Sequence, residues 1–245
     1  MIYVAPSTSQ RVRAVIFDTF GTLVDWRTDV AAAADEFADA AGVEWDPRSF
    51  ADAWRAQYQP SMAPIRAGSR GYVTLDTLHR ENLDTVLGQL GIAANTFDPK
   101  HLDELSSVWR RLRPWADVTE GLDRIRAGYL VGPLSNANTA LLVALSRHAG
   151  LRWDVVLGSD VFGTYKPERR VYQGAASLLG LEPGEVMLAA AHNDDLAGAA
   201  AAGLATAFIA RPLEHGPDQQ TDLSADGPWD LTADSVTDLA SLLGY

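Results

Sequence analysis

Two hydrophobic rhythms follow each other along the chain, and their order predicts an architecture. Near the start, Ala14-Val15-Ile16-Phe17 is an unbroken apolar run that stops abruptly at Asp18. A run this short, with no polar residue alternating through it, predicts a strand from Val12 to Phe17, buried on both faces of a parallel sheet. The pattern then turns helical for a long way. Helices are expected over Asp29 to Ala41, with Gly42 as its stop, and over Pro47 to Tyr58, opened by its proline. A Pro/Gly/Arg loop from Pro60 to Gly71 follows, then helices at Val73 to Leu90 and Lys100 to Leu112. From Trp115 onward short apolar runs alternate with helical stretches. Candidate strands are 129–134, 154–157, 186–190 and 205–209; candidate helices are 139–149, 168–179 and 196–202. A polar loop from Arg211 to Pro228 precedes a last helix over Ser235 to Leu242. Alternation of this kind builds an α/β fold: a doubly wound (Rossmann-like) parallel sheet with right-handed crossovers. Residues 1–27 and 114–245 are expected to form that core, and residues 28–113 an inserted four-helix cap domain.

Composition narrows the function classes. A net charge of -12 disfavours nucleic acid and anionic membrane surfaces as partners. No apolar stretch reaches the length of a membrane span, and Met1 to Gln10 lacks the basic flank and apolar run of an export signal. The chain has no cysteine, which removes disulfides, thiolate metal sites and cysteine nucleophiles, and fits a cytoplasmic location. Lys100 and Lys166 are its two lysines among twenty basic residues, so a lysine here marks a place where a compact point charge is needed.

The expected strands end in polar groups that share one edge of the sheet. The first ends in Asp18, the second in Ser135-Asn136, and the last-but-one in Ala190-Ala191-His192-Asn193-Asp194-Asp195; the third leads to Lys166-Pro167. In open α/β sheets that edge carries the ligand crevice. The stretches Asp18-Thr19-Phe20-Gly21-Thr22-Leu23, Leu134-Ser135-Asn136, Tyr165-Lys166-Pro167-Glu168-Arg169-Arg170-Val171-Tyr172 and Asp195-Leu196-Ala197-Gly198-Ala199, in this order, resemble the haloacid dehalogenase superfamily. Within it the chain looks like the type II 2-haloacid dehalogenases. The resemblance implies hydrolysis of short 2-haloalkanoic acids, with no cofactor and no metal, by a homodimer that binds a small anionic haloacid and releases halide.

The resemblance implies catalytic roles for Asp18 as nucleophile, Lys166 as its counter-charge and Asp195 as the group that positions or activates water. Thr22 is placed to orient Asp18 by a hydrogen bond. Thr19 and Phe20 would offer backbone amides, and Ser135 would join them on the substrate carboxylate. Arg55, in Trp54-Arg55, and Asn136 would meet the halide, and Tyr172 would sit near Lys166. Phosphatases of the superfamily carry a second aspartate where this chain has Phe20, which can neither donate a proton nor accept a hydrated metal. Ala190 and Ala191 stand where their metal-binding acid is expected. A halide leaves without a general acid, so these departures favour displacement at carbon. Where better-known members have asparagine this chain has His192, and an imidazole beside an aspartate suits deprotonation of water. His192, oriented by Asp194 or Asp195, is therefore expected to share or take over the base role. Alternatives are a hydrolase opening an epoxide or strained ring on another small carboxylate, a Mg²⁺-dependent phosphatase, or a non-catalytic binding protein.

Overall fold

A computed structural model describes residues 11–245; Met1 to Gln10, read above as carrying no export signal, lies outside the described residues. Among those described, five parallel strands form one sheet in the order β2-β1-β3-β4-β5. They are β1 Ala14–Phe17, β2 Leu130–Pro133, β3 Val186–Ala190, β4 Ala205–Ile209 and β5 Leu231–Ala233. Every pairing is parallel, and Phe17 pairs with Pro133 on one side and Ala189 on the other. The chain steps from β1 outward to β2 and then returns to the opposite flank of β1 as β3. That reversal opens a crevice at the carboxyl ends of β1 and β3. Side chains alternate with a period of two: Val15 and Phe17 enter one core, Ala14 and Ile16 the other.

Between β1 and β2 the chain is helical: α1 Trp26–Ala41, α2 Pro47–Ala56, α3 Tyr58–Arg66, α4 Leu75–Gln89, α5 Pro99–Ser106 and α6 Val118–Arg126. Local caps explain several of their starts. The side chains of Asp25, Asp46, Thr74 and Asp98 accept hydrogen bonds from the backbone N–H groups of Thr28, Ser49, Thr77 and Lys100. This stretch departs from the expected pattern: five α-helices rather than four precede Leu112, and the one expected over Lys100 to Leu112 is α-helical only to Ser106, with a 3₁₀ turn over Ser107–Arg110. The stretch expected as a loop from Pro60 begins as α3, anchored by buried Met62 and Ile65. Pro60 lies in its first turn, where the missing N–H has no intrahelical partner to lose. Helix α6 was not anticipated; its Val118, Leu122 and Ile125 are buried.

After β2 come α7 Thr139–Ala149, α8 Ser159–Phe162, α9 Arg169–Leu178, α10 Asn193–Ala202 and α11 Val236–Leu242. The candidate strand over 154–157 does not form, although it runs beside β2. The Val131 N–H on that side is taken by the Asp154 carboxylate at 3.0 Å, and Pro133 has no N–H to offer. Only the bonds from Asp154 N to Val131 O and from Leu157 N to Pro133 O remain, with one more from Ser135 N to Leu157 O. A proline in this position stops a ladder from growing. The sheet gains β5 at its other edge instead. No helix among the described residues is long and apolar enough to cross a membrane.

Candidate active site

Asp18 leaves β1 at the crevice, its N–H bonded to Ala189 O at 3.1 Å. Its two carboxylate oxygens have different surroundings. Oδ1 accepts from Lys166 Nζ at 2.9 Å. Oδ2 accepts from Thr22 Oγ1 at 2.9 Å and lies 3.1 Å from His192 Nδ1. Thr22 Oγ1 itself accepts the Ala191 N–H at 2.9 Å, so its one proton is directed at Asp18. Burial pushes the Asp18 pKa up, but the Lys166 charge and the His192 contact outweigh it and hold the carboxyl well below its ordinary range. Asp18 is therefore an ionised, water-poor carboxylate, as nucleophilic attack requires.

Lys166 joins Asp18 to Asp195. Its Nζ also donates to Asp195 Oδ2 at 2.5 Å, and Asp195 Oδ1 accepts from the Tyr172 hydroxyl at 2.7 Å. Asn136 sets the height of the lysine, since its Oδ1 accepts the Lys166 N–H at 2.7 Å. Burial lowers the Lys166 pKa, yet the two carboxylates raise it further and keep the ammonium charged. Burial raises the Asp195 pKa and Lys166 only partly offsets this. Tyr172 reaches Asp195 because α10 carries Gly198, where an added Cβ would fall 2.7 Å from the tyrosine oxygen.

His192 departs from expectation. Its partner is neither Asp194 nor Asp195 but Glu214, whose Oε2 lies 2.9 Å from Nε2. Glu214 is 1% exposed, also accepts from Trp26 Nε1 at 3.0 Å, and sits under the turn after β1. That turn requires Gly21: its φ is +85°, and a Cβ there would fall 2.0 Å from Glu214 Oε1. Both His192 nitrogens thus face carboxylates, which only accept, so both carry protons. Burial disfavours that charge, but Glu214 and Asp18 raise the pKa well above its ordinary value. Burial likewise raises Glu214, and the His192 charge more than reverses this, to about 2. A cation cannot take a proton from water. To act as the base expected of it, His192 would have to give up the proton on one of these two carboxylate contacts.

A cavity of about 260 Å³ opens above these groups, lined among others by Asp18, Phe20, Arg55, Asn136, Lys166 and Asp195. Its size lies below the range of pockets for drug-sized ligands and suits a very small one. Arg55 projects from α2 with its guanidinium 4.0 Å from the Tyr58 ring centre and 5.5 Å from that of Trp26. Its Nη1 is buried without a hydrogen-bond partner, as is Thr19 Oγ1. Phe20 lines the cavity with its ring edge-on to Trp109 at 5.7 Å. Ser135 is not brought to the cavity wall: it is 1% exposed and its Oγ accepts the Ala137 N–H at 3.2 Å. Thr19 and Thr22 are likewise buried beneath the cavity rather than lining it. Sequence reasoning missed Glu214 and Arg211. Arg211 donates to Thr22 O at 2.8 Å and forms a two-pronged pair with Asp117 at 2.9 Å. The one signal in the sequence was the presence of charged residues in a loop otherwise rich in proline and glycine.

The model of the haloacid dehalogenase-like hydrolase family matches residues 12–203. The chain belongs to that family. It is 31% identical to (S)-2-haloacid dehalogenase 4A of Burkholderia cepacia, over 94% of this chain and 98% of that protein. The crystal structure of a defluorinating L-2-haloacid dehalogenase, 54% identical, superposes with a TM-score of 0.96 and covers 99% of both chains. The L-2-haloacid dehalogenase of Xanthobacter autotrophicus with chloropropionic acid covalently bound is 26% identical, with a TM-score of 0.78 over 95% of this chain and 98% of that one. Within this family of hydrolases, the described chain has the parallel sheet and the helices after β1 that were expected, with β5 in place of the strand expected over 154–157.

Proposed function

We propose that this hydrolase converts short 2-haloalkanoic acids, such as haloacetate and 2-halopropionate, to 2-hydroxy acids through an aspartyl ester on Asp18, without a metal ion. The observation that carries the reading is the asymmetry of Asp18. Oδ2 has both lone pairs occupied by Thr22 and His192, whereas Oδ1 accepts one bond and keeps a lone pair for attack. Oδ1 attacks the halogen-bearing carbon, the carbon–halogen bond breaks, and halide leaves with the electron pair toward Arg55. Asn136 helps hold the halide. The backbone around Thr19 and Phe20, with Ser135 behind it, positions the substrate carboxylate. Water then attacks the Asp18 carbonyl carbon as Asp195, held by Lys166 and Tyr172, takes its proton. That proton passes to the departing alkoxide, the second water proton is released to solvent, and Asp18 is restored as a carboxylate with one oxygen from water.

The carbon is displaced once, so a chiral substrate inverts. The (S)-specific names of the relatives support the same preference here. The reading includes cytoplasmic location, a homodimer and a division into core (1–27, 114–245) and cap (28–113); sedimentation velocity checks the dimer. Halide release from chloroacetate, fluoroacetate and 2-chloropropionate, with and without EDTA, tests the activity. Equal rates with and without EDTA are expected, and no halide from any of the three would end the dehalogenase reading. One turnover in ¹⁸O-water should label Asp18; label appearing directly in the product would exclude the ester.

A further inference from the structure

We infer that His192 acts in the hydrolytic step as a fixed cationic hydrogen-bond donor, not a base, and that Glu214 is the positioning residue that keeps it so. The inference rests on the aspartyl-ester reading above and assigns a second chemical role inside it. When Oδ1 becomes the ester oxygen, Oδ2 becomes the carbonyl oxygen. Oδ2 is the atom already faced by Thr22 at 2.9 Å and His192 at 3.1 Å. As water adds to the carbonyl carbon, the π pair moves onto Oδ2 and negative charge develops between two donors that are already in place. Preorganised donors aimed at developing charge are among the largest contributions to ester hydrolysis. The Thr22 proton cannot turn elsewhere, because its oxygen accepts Ala191 N–H.

Glu214 matters most in the intermediate. Esterification removes the charge of Asp18, leaving Glu214 as the carboxylate still bonded to the ring, with contacts from Nε2 at 3.1 and 2.9 Å. Other charges around this pair oppose or share it. His215 Nε2 lies 3.6 Å from Glu214 Oε1, Arg55 acts on Glu214 from α2, and Lys166 faces Asp18 from the far side. Trp26 supports Glu214 through its indole N–H. No net proton transfer to or from His192 occurs. One water proton goes to Asp195 and then to the alkoxide and the other leaves to solvent as Asp18 reionises, while the imidazolium proton stays on Nδ1 and only strengthens its bond to Oδ2. When the tetrahedral adduct collapses, the pair returns from Oδ2 and the carbon–alkoxide bond breaks.

A donor and a base respond to pH with opposite sign, which makes the assignment testable by rapid-quench measurement of ester formation and ester loss. If His192 is a donor, wild-type ester hydrolysis stays level through neutral pH and declines only in alkali. Glu214→Gln should bring that decline toward neutral pH, slowing hydrolysis about tenfold or more at about pH 8.5, while the halide burst persists. If His192 is a base, hydrolysis rises with pH and Glu214→Gln moves the rise to lower pH, which would overturn the inference. His192→Ala should accumulate ester, with hydrolysis slowed about 10²–10³-fold. Should Glu214→Gln not fold, ¹⁵N shifts of His192 in the wild-type enzyme decide instead. Two protonated nitrogens at about pH 7.5 are expected, and a neutral ring would refute the assignment. A wild-type enzyme that releases no halide at all would defeat the dehalogenase reading itself, an outcome distinct from any of these.

Discussion

Replacing Lys166 by methionine removes one charge and little volume from the middle of the site. At an effective dielectric of about 20, its contacts at 2.9 Å with Asp18 and 2.5 Å with Asp195 correspond to attractions of about 6 kcal/mol each. Most of that offsets the desolvation of three buried ions, and breaking such a pair from one side costs about 3–5 kcal/mol net. For a chain of this size, that lowers the melting temperature by about 6–20 °C. The sign with pH follows from the shifts. Asp18 is depressed below its ordinary 3.8, so its stabilising contribution is present above that value and lost as pH falls through the folded-state pKa. Lys166 is raised above its ordinary 10.5, so its contribution is present below that value and lost as pH rises through the folded-state pKa. The Asp18–Lys166 pair therefore stabilises throughout the neutral range, whereas Asp195, raised above its ordinary value by burial, subtracts from stability once ionised. Without the lysine, Asp195 loses its cationic partner while the Asp18 charge, still held by His192, keeps repelling it, and protonating Asp195 relieves the repulsion. Lys166→Met should thus be less stable than wild type at about pH 7.5, and the deficit should narrow at about pH 5. Urea unfolding at both pH values, with an unchanged m-value, measures this. A deficit below about 1 kcal/mol at neutral pH, or one independent of pH, would refute the reasoning.

Three further substitutions probe separate supports. Gly21→Ala meets both a φ of +85° and the Glu214 carboxylate, so thermal unfolding should show a loss of about 1–3 kcal/mol, with slower halide release alongside; a wild-type profile in both assays would contradict this. Arg55→Lys keeps the charge but loses the planar group stacked 4.0 Å from Tyr58, so kcat/KM for 2-chloropropionate should fall about 10–100-fold with stability within about 0.5 kcal/mol. Arg211→Met frees the Thr22 carbonyl and leaves Asp117 unpaired, costing about 2–3 kcal/mol by urea unfolding. Burial raises Asp117, but its bonds to Arg211 outweigh this and depress it, so that deficit should shrink as pH falls below the ordinary 3.8.

Local rules carried the reading of several elements almost to the residue. β3 and β4 match their apolar runs, and α7 matches its helical stretch, because short buried strands and well-stopped helices announce themselves in sequence. The errors fell where a distant partner decides. The 154–157 segment has strand-like residues, but the edge it meets ends in Pro133. The proline-rich stretch after Tyr58 is helical at first because Met62 and Ile65 find a core to enter. Tertiary burial overrode local propensity in that stretch.

The site divides the same way. Asp18, Lys166, Tyr172 and Asp195 were legible because each stands at a strand end or on the helix beginning there, and parallel strands bring such positions to one edge. The sequence by itself determined the crevice at the carboxyl ends of the strands, the carboxylate that ends the first of them and the missing second carboxylate at Phe20. It also placed a histidine in the crevice, but left its charge undetermined. That was decided by Glu214, twenty-two positions on in a loop with no regular pattern, folding beneath Gly21 to meet the far ring nitrogen. A histidine's protonation depends on what faces both nitrogens, and only the tertiary structure brings the second carboxylate there.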